Sequence, residues 1–388
     1  MTLHIFNPDH DLALASGLEN FTAPHAGSQL RHDLGWLPAL WADEEHYILV
    51  DDVATALKRV RHRPVRCHHF VSYQQLASLA VTRIEPWGWN AALCAQLRRH
   101  GLQELEGCGM WKNERGNRRE ERGEKNDWLD VIRELSHRRT AAQLLPLLQT
   151  EGTVGEATEC TTMEEVQALV NKYGKAVLKA PWSSSGRGVR FVSSEPSEAY
   201  GSNEIYEHTG FWRDKNMDGW LHNILLRQGS VMVEPCFTKV KDFGMEFYSD
   251  GAGHVNYLGL SLFHTSNGAY TGNIIATEQA KREALSHYIP TPLLDQTQEH
   301  ICQILGDVFK NKYQGPFGID MMVVKSLNNQ QSTPNTLHPC VEINLRRTMG
   351  HVALALGKAY NPSADDEVRH VMRINYFKNN YKLQIRRQ

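Results

Sequence analysis

Apolar residues along this 388-residue chain fall into compact runs and helically spaced sets that alternate from the first residues onward. Leu3–Phe6 and Tyr47–Val50 are short apolar runs bounded by polar turn formers, a pattern that predicts strands. Ala26–Trp41, Val53–Val60 and Asn90–His100 space their apolar residues three and four apart, which predicts helices. The last of these follows a compact turn, Pro86-Trp87-Gly88-Trp89. Strands alternating with helices predict a small α/β layer around a parallel sheet.

The tract Lys112–Asp127 breaks this pattern with charges of both signs and almost no apolar residues. It cannot bury a core. It predicts a mobile loop or, alternatively, a basic arm that gates substrate. Trp128–Leu135 is amphipathic again, and a first domain is expected to span 1–135. Further helices are predicted over Thr140–Leu148, Thr162–Lys172, Trp212–Arg227, Thr297–Tyr313 and Met349–Tyr360. Thr161 or Thr162, with Glu164 and Glu165 behind it, gives the second of these a capped start. Strands are predicted around Lys179, at Val189–Phe191, from Met232, at Met245–Tyr248, Val255–Leu258, Ser261–Phe263 and Tyr270–Asn273, and at Gly315–Val324 and Cys340–Arg347.

Composition narrows the function classes. Forty-two basic against 44 acidic residues leave a formal charge of -2, so no global positive field favours nucleic acid. The seven cysteines form no Cys-x-x-Cys pair, so neither a zinc ribbon nor a disulfide framework is expected. No apolar run approaches the ~20 residues needed to span a bilayer. The start at Met1 turns polar at once, unlike a signal peptide. A cytoplasmic protein without membrane or nucleic-acid partners is expected. His62, His68 and His69 are read as solvated surface, not a metal site.

Two segments carry candidate chemistry. Val177-Leu178-Lys179-Ala180-Pro181-Trp182-Ser183-Ser184-Ser185-Gly186-Arg187-Gly188-Val189 reads as a strand ending in lysine, a small-residue loop and a second strand. Such a loop can turn its N–H groups onto phosphate oxygens beside the Lys179 charge, or it is simply a glycine-rich surface hairpin. It lacks the Gly-Lys-Ser/Thr ending and following helix of a Walker A loop. Near the C-terminus, Asp320 stands among Ile319, Met321 and Met322, while Glu342 and Asn344 lie two apart and share one strand face, which Arg346 continues. Two carboxylates and an amide oxygen make hard ligands suited to Mg²⁺ with phosphates. A polar strand face turned to water is the plainer alternative for Glu342 and Asn344.

The loop Asn7-Pro8-Asp9-His10-Asp11 follows the first strand, where open parallel sheets bind ligands. Asn7, Asp9, His10 and Asp11 are read either as contacts to a second substrate, its amine in particular, or as a turn and helix cap. Asn273 is a further candidate for phosphate-side contact.

In order and spacing, the Lys179–Val189 unit, the glutamate strand Val231–Phe237, Gly318-x-Asp320 and Glu342-x-Asn344-x-Arg346 resemble the ATP-grasp enzymes, over about 136–359. The resemblance implies an ATP-grasp fold behind an N-terminal Rossmann-like α/β domain, with subdomains at 136–235 and 236–388. It implies that Lys179 contacts the α-phosphate and adenine side, and that Ser183, Ser184, Ser185, Gly186, Arg187 and Gly188 cover the β- and γ-phosphates. Glu234, Pro235, Cys236 and Phe237 would flank adenine, and Asp242 the ribose. Asp320, Glu342 and Asn344 would hold Mg²⁺ (or Mn²⁺), and Arg346 would steady an acylphosphate. Members commonly carry another lysine early in the nucleotide domain; here Arg138 or Arg139 stands there. The implied activity is an ADP-forming ligation of a small carboxylate to an amine, from an enzyme that is often a dimer. A small-molecule kinase and a non-catalytic ATP-binding regulator are the alternatives.

Overall fold

The computed structural model describes residues 1–102, 127–183, 188–194, 209–211, 215–266, 269–326, 335–360 and 369–387. The expected α/β class is what it has. A four-stranded sheet comes first. β1 (Thr2–Ile5), helices α1 (His10–Ser16) and α2 (His25–Leu34), β2 (Tyr47–Leu49), α3 (Val53–Val60), β3 (Phe70–Val71), β4 (Arg83–Pro86) and α4 (Ala91–Arg99) follow in that order. The strands pair in parallel, in the order β3-β2-β1-β4. The helix expected over Ala26–Trp41 stops at Leu34, and only a short 3-10 turn follows at Leu37–Leu40. Pro38 explains the break, because it has no N–H to continue the helical ladder. Asn90 caps α4 by accepting the Leu93 N–H at 2.9 Å.

A five-stranded sheet follows, built from α5 (Asp127–Leu135), α6 (Arg138–Leu148), β5 (Thr158–Cys160), α7 (Met163–Tyr173), β6 (Lys175–Lys179), β7 (Val189–Ser193), β8 (Thr209–Phe211), α8 (Lys215–Gln228) and β9 (Val231–Pro235), ordered β5-β9-β6-β7-β8. The start of α7 is a reciprocal cap: Thr162 Oγ1 accepts from the Glu165 N–H, and Glu165 accepts from the Thr162 N–H, both at 3.2 Å. Val166, Val170, Leu178, Leu221, Val231 and Val233 bury the inner faces. The hydrophilic tract before α5 lies outside the described residues, apart from Asp127.

The third sheet has seven strands, all antiparallel: β10 (Lys239–Ser249), β11 (Val255–Ser266), β12 (Ala269–Ile275), β13 (Gly315–Lys325), β14 (Asn335–Asn344), β15 (His370–Phe377) and β16 (Asn380–Arg387), ordered β14-β13-β10-β11-β12-β15-β16. Helices α9 (Glu278–Ser286), α10 (Thr291–Phe309) and α11 (Met349–Tyr360) pack on it. The two strands expected at Val255–Leu258 and Ser261–Phe263 are one, passing through a register shift opposite Glu246 and Phe247. The helix expected from Thr297 begins six residues earlier, at Thr291, with Pro292 in its first turn.

Strand alternation decides which side chains meet the core. Phe243, Met245, Phe247, Phe317, Ile319 and Met321 point one way and are buried. There Phe247 stacks on Phe317 at 5.2 Å, and Phe309 of α10 meets Phe317 edge-on at 5.1 Å. Asp242, Gly244, Glu246, Gly318, Asp320 and Met322 take the opposite face.

The N-terminal layer fits closely at Gly88. A Cβ there would lie 2.6 Å from the His10 ring, and Asn7 donates to the Gly88 carbonyl at 2.8 Å. Gly88→Ala is therefore expected to lower unfolding stability by about 1–3 kcal/mol in urea titration. Unchanged stability would contradict this packing.

Candidate functional site

The candidate site is built from three rows that arrive from different elements. On β13 and β14, Asp320 is directly opposite Glu342, and Gly318 opposite Asn344. All three candidate ligands are half-buried. Burial pushes the Asp320 carboxyl up to about 7, and the charges of Glu342 and then Glu246 push the same way. Asp320 and Glu342 thus form a row of like charge. The amide is arranged differently. Asn344 Nδ2 donates to Asp320 Oδ2 at 3.2 Å, and its Oδ1 accepts from Arg346 Nη2 at 3.0 Å. Those two partners fix which end of the amide is which. The amide oxygen thus faces Arg346. Among the described residues, no group of three His, Cys, Asp or Glu side chains could hold a metal. A cation here needs Asn344 or ligand oxygens beside the two carboxylates.

The second row lies on the five-stranded sheet. Lys179 and Glu234, from neighbouring strands, form a buried ion pair at 2.6 Å. Phe237, just past β9, meets the His338 ring edge-on at 5.8 Å. Cys340 of β14 feels Lys179, Asp320, Glu234 and Glu342, so these charges of both sheets act on one sulfur; burial pushes its thiol pKa far up. The ends of the small-residue loop come together: the Ala180 N–H donates to the Gly188 carbonyl at 2.8 Å. A Cβ on Gly188 would overlap the Ser183 side chain, so only glycine closes the loop this tightly. Ser184, Ser185, Gly186 and Arg187 lie outside the described residues.

Arg138 joins the rows. From the first position of α6 its guanidinium donates to the Ala180 carbonyl, to Ser183 Oγ at 2.7 Å and to Glu342 Oε1 at 2.8 Å. Arg139 points elsewhere, 3.6 Å from Glu159 and 3.9 Å from Glu134. Only Arg138 of the two is brought to the site. Asp242 stands on the same face of β10 but is held by Lys239 at 2.7 Å and Thr265 at 2.8 Å.

The third contribution comes from the N-terminal loop. Asp11 takes Arg346 in a two-pronged ion pair, 2.7 Å from Nε and 2.9 Å from Nη2. That pairing holds the Asp11 carboxyl below its usual range against the opposing effect of burial. His10 is buried, with Nδ1 3.3 Å from Asn90 Nδ2, and burial lowers its pKa to about 4. Asn7 is spent on Gly88, and neither Asn7 nor Asp9 joins the group. Asn273 is not brought to it either; its amide is tied to Ser261 at 2.8 Å and to Tyr270. An opening of about 330 Å³ is lined by His10, Asp11, Ser136, Trp182, Ser183 and Glu342 among others. A larger one of about 480 Å³, lined by residues 83–89, Tyr248 and residues 313–316 among others, contains none of the predicted residues.

Three buried groups escaped the sequence reading. Glu246 Oε2 lies 2.9 Å from His351 Nδ1, which itself accepts from the Thr348 N–H, beside the Asp320 row. His338 has both ring nitrogens buried without a hydrogen-bond partner, and burial lowers its pKa to about 3. The period-two spacing Asp242, Gly244, Glu246 was the available signal for Glu246.

No protein-family model and no curated protein matches the chain. The fold is similar to that of solved structures. N5-carboxyaminoimidazole synthetase from Staphylococcus aureus, complexed with ADP, is 12% identical, with 97% of this chain and 83% of that one covered and a TM-score of 0.46. Biotin carboxylase from Campylobacter jejuni is 11% identical over 96% and 75%, TM-score 0.47. A protein of Archaeoglobus fulgidus, described as of the ATP-grasp superfamily, is 12% identical over 100% and 99%, TM-score 0.46. A likeness this loose carries no argument about chemistry, which rests on the residues.

The Asp320 charge makes a testable difference. Its folded-state pKa lies above that of an unfolded aspartate, so the folded chain holds the extra proton between about pH 4 and pH 7. This carboxyl's contribution to stability therefore falls as pH rises through that window and levels off above it. Thermal scans without metal or nucleotide are expected to show Asp320→Asn gaining on wild type as pH rises from 4 to 8. A gap that is constant or shrinking with pH would contradict the assignment.

Proposed function

We propose that this chain is an ATP-grasp enzyme that uses ATP and a divalent cation to join a small carboxylate to an amine, releasing ADP. The observation that carries the reading is Arg138: one guanidinium touches both the base of the serine–glycine loop and Glu342 of the acidic row. Phosphates entering between them would meet Arg138, Lys179 and the loop on one side and the carboxylates on the other. Asp320 and Glu342, with Asn344 once its amide oxygen turns inward, would hold Mg²⁺, or Mn²⁺ in its place. Bound there, the ion would shield phosphate charge and polarise the γ-phosphoryl group.

The protein's own part is positioning and charge. The backbone of 234–237 flanks the base and Asp242 lies on the ribose side. The fork of Arg138 gives up its present partners for phosphate oxygens. An oxygen of the substrate carboxylate attacks the γ-phosphorus as the bond to ADP breaks. The amine then attacks the acyl carbon, phosphate leaves, and the amine loses a proton. Covering this step with the Ser183–Gly188 loop keeps water off the acylphosphate. The subdomain limits 136–235 and 236–388 belong to the same proposal.

A specific observation favours a second reading, a small-molecule kinase. Arg346, expected to steady an acylphosphate, has its fork filled by Asp11. Incubation of the protein with Mg²⁺-ATP and carboxylates, amines and alcohols, supplied singly and together, separates the two. Ligation gives ADP and free phosphate only when both substrates are present; a kinase gives ADP and a phosphorylated alcohol without free phosphate. Asp320→Asn is expected to cut ADP release by about 10²–10³-fold. Turnover of that variant at the wild-type rate would sink the metal assignment.

A further inference from the structure

The Asn7–Asp11 loop and Arg346 read from sequence as separate substrate contacts, yet the structure joins them across 335 positions. Arg346 has five N–H donors. Nε and one hydrogen of Nη2 go to Asp11, the other of Nη2 goes to Asn344 Oδ1, and Nη1 donates to the Arg347 carbonyl at 3.1 Å. Asn344 in turn donates to Asp320. One chain of contacts therefore runs from the N-terminal loop to the acidic row.

We propose that Asp11 is a positioning residue for the cation site: it holds Arg346 away from Asp320 and Glu342 and so leaves those carboxylates to a divalent ion. The inference rests on the functional reading above. A guanidinium beside two carboxylates pairs with them unless a better partner holds it, and two oxygens matched to the fork are that partner. Asp11 is well placed to be it. Its neighbour His10 is wedged under Gly88 and beside Asn90, which fixes the first turn of α1. Without the Asp11 charge, Arg346 need only turn about its own side chain to reach past Asn344 to Asp320. There it would compete with the cation.

The test is Mg²⁺ titration, by calorimetry, of full-length protein saturated with a nonhydrolysable ATP analogue. Asp11→Asn is expected to raise the half-saturating Mg²⁺ concentration about 10–100-fold, the range for outer partners of metal ligands. Asp11→Glu, which keeps the charge, is expected to restore most of that loss. Combining Asp11→Asn with Arg346→Gln removes the competitor and is expected to return Mg²⁺ binding towards wild type. Arg346→Gln alone, the fallback should Asp11→Asn fail to fold, is expected to keep wild-type Mg²⁺ binding. Wild-type Mg²⁺ binding in Asp11→Asn would overturn the inference, as would a double variant no better than Asp11→Asn or a loss of Mg²⁺ binding in Arg346→Gln. Absence of Mg²⁺-dependent analogue binding in the wild type would overturn the functional reading itself, and this inference with it.

Discussion

The register of β13 against β14 is the constraint on which the candidate site depends. It sets Asp320 opposite Glu342, two carboxylates in one row on a face that β10 extends with Glu246. Left alone, such a row repels itself. The chain answers with cations from outside the strand pair: Arg138 from α6 takes Glu342, while Arg346 is kept close by and held by Asp11. Helix α6 and the N-terminal loop thus each place a charged side chain beside this row or the arginine that follows it.

The core makes this arrangement possible. Phe243, Phe247, Phe317 and Ile319 bury the other face of the same strands, which makes a register slip costly. A slip of one residue would exchange the buried phenyl groups for Asp320 and Glu246. The packing that stabilises the sheet is therefore what holds the acids on its opposite face. On the five-stranded sheet, the Lys179–Glu234 pair is stitched between β6 and β9, so the loop beyond Lys179 starts from a fixed point.

Much of this was legible in the sequence, for reasons of periodicity. Glu342 and Asn344 two apart follow from period two, while Asp320 and the lysine-ended strand at Lys179 stand out against short apolar runs. The capped start at Thr162 was legible because its hydrogen bonds are local. What was not legible depended on rotation or distance. Arg138 and Arg139 are neighbours about 100° apart on a helix, and only tertiary packing decides which faces the cleft. The partnership of Asp11 with Arg346 joins the first and last parts of the chain, and no local pattern announces it. Glu246 lay hidden within Met245–Tyr248, where a lone acid reads as a solvated strand position. The broken helix after Leu34 was misjudged because apolar spacing outweighed Pro38.

The most direct measurement is calorimetric titration of the wild-type protein with a nonhydrolysable ATP analogue, with and without Mg²⁺. The account predicts saturable one-to-one uptake that tightens markedly when the cation is present. No binding in either condition, or identical binding in both, would contradict it.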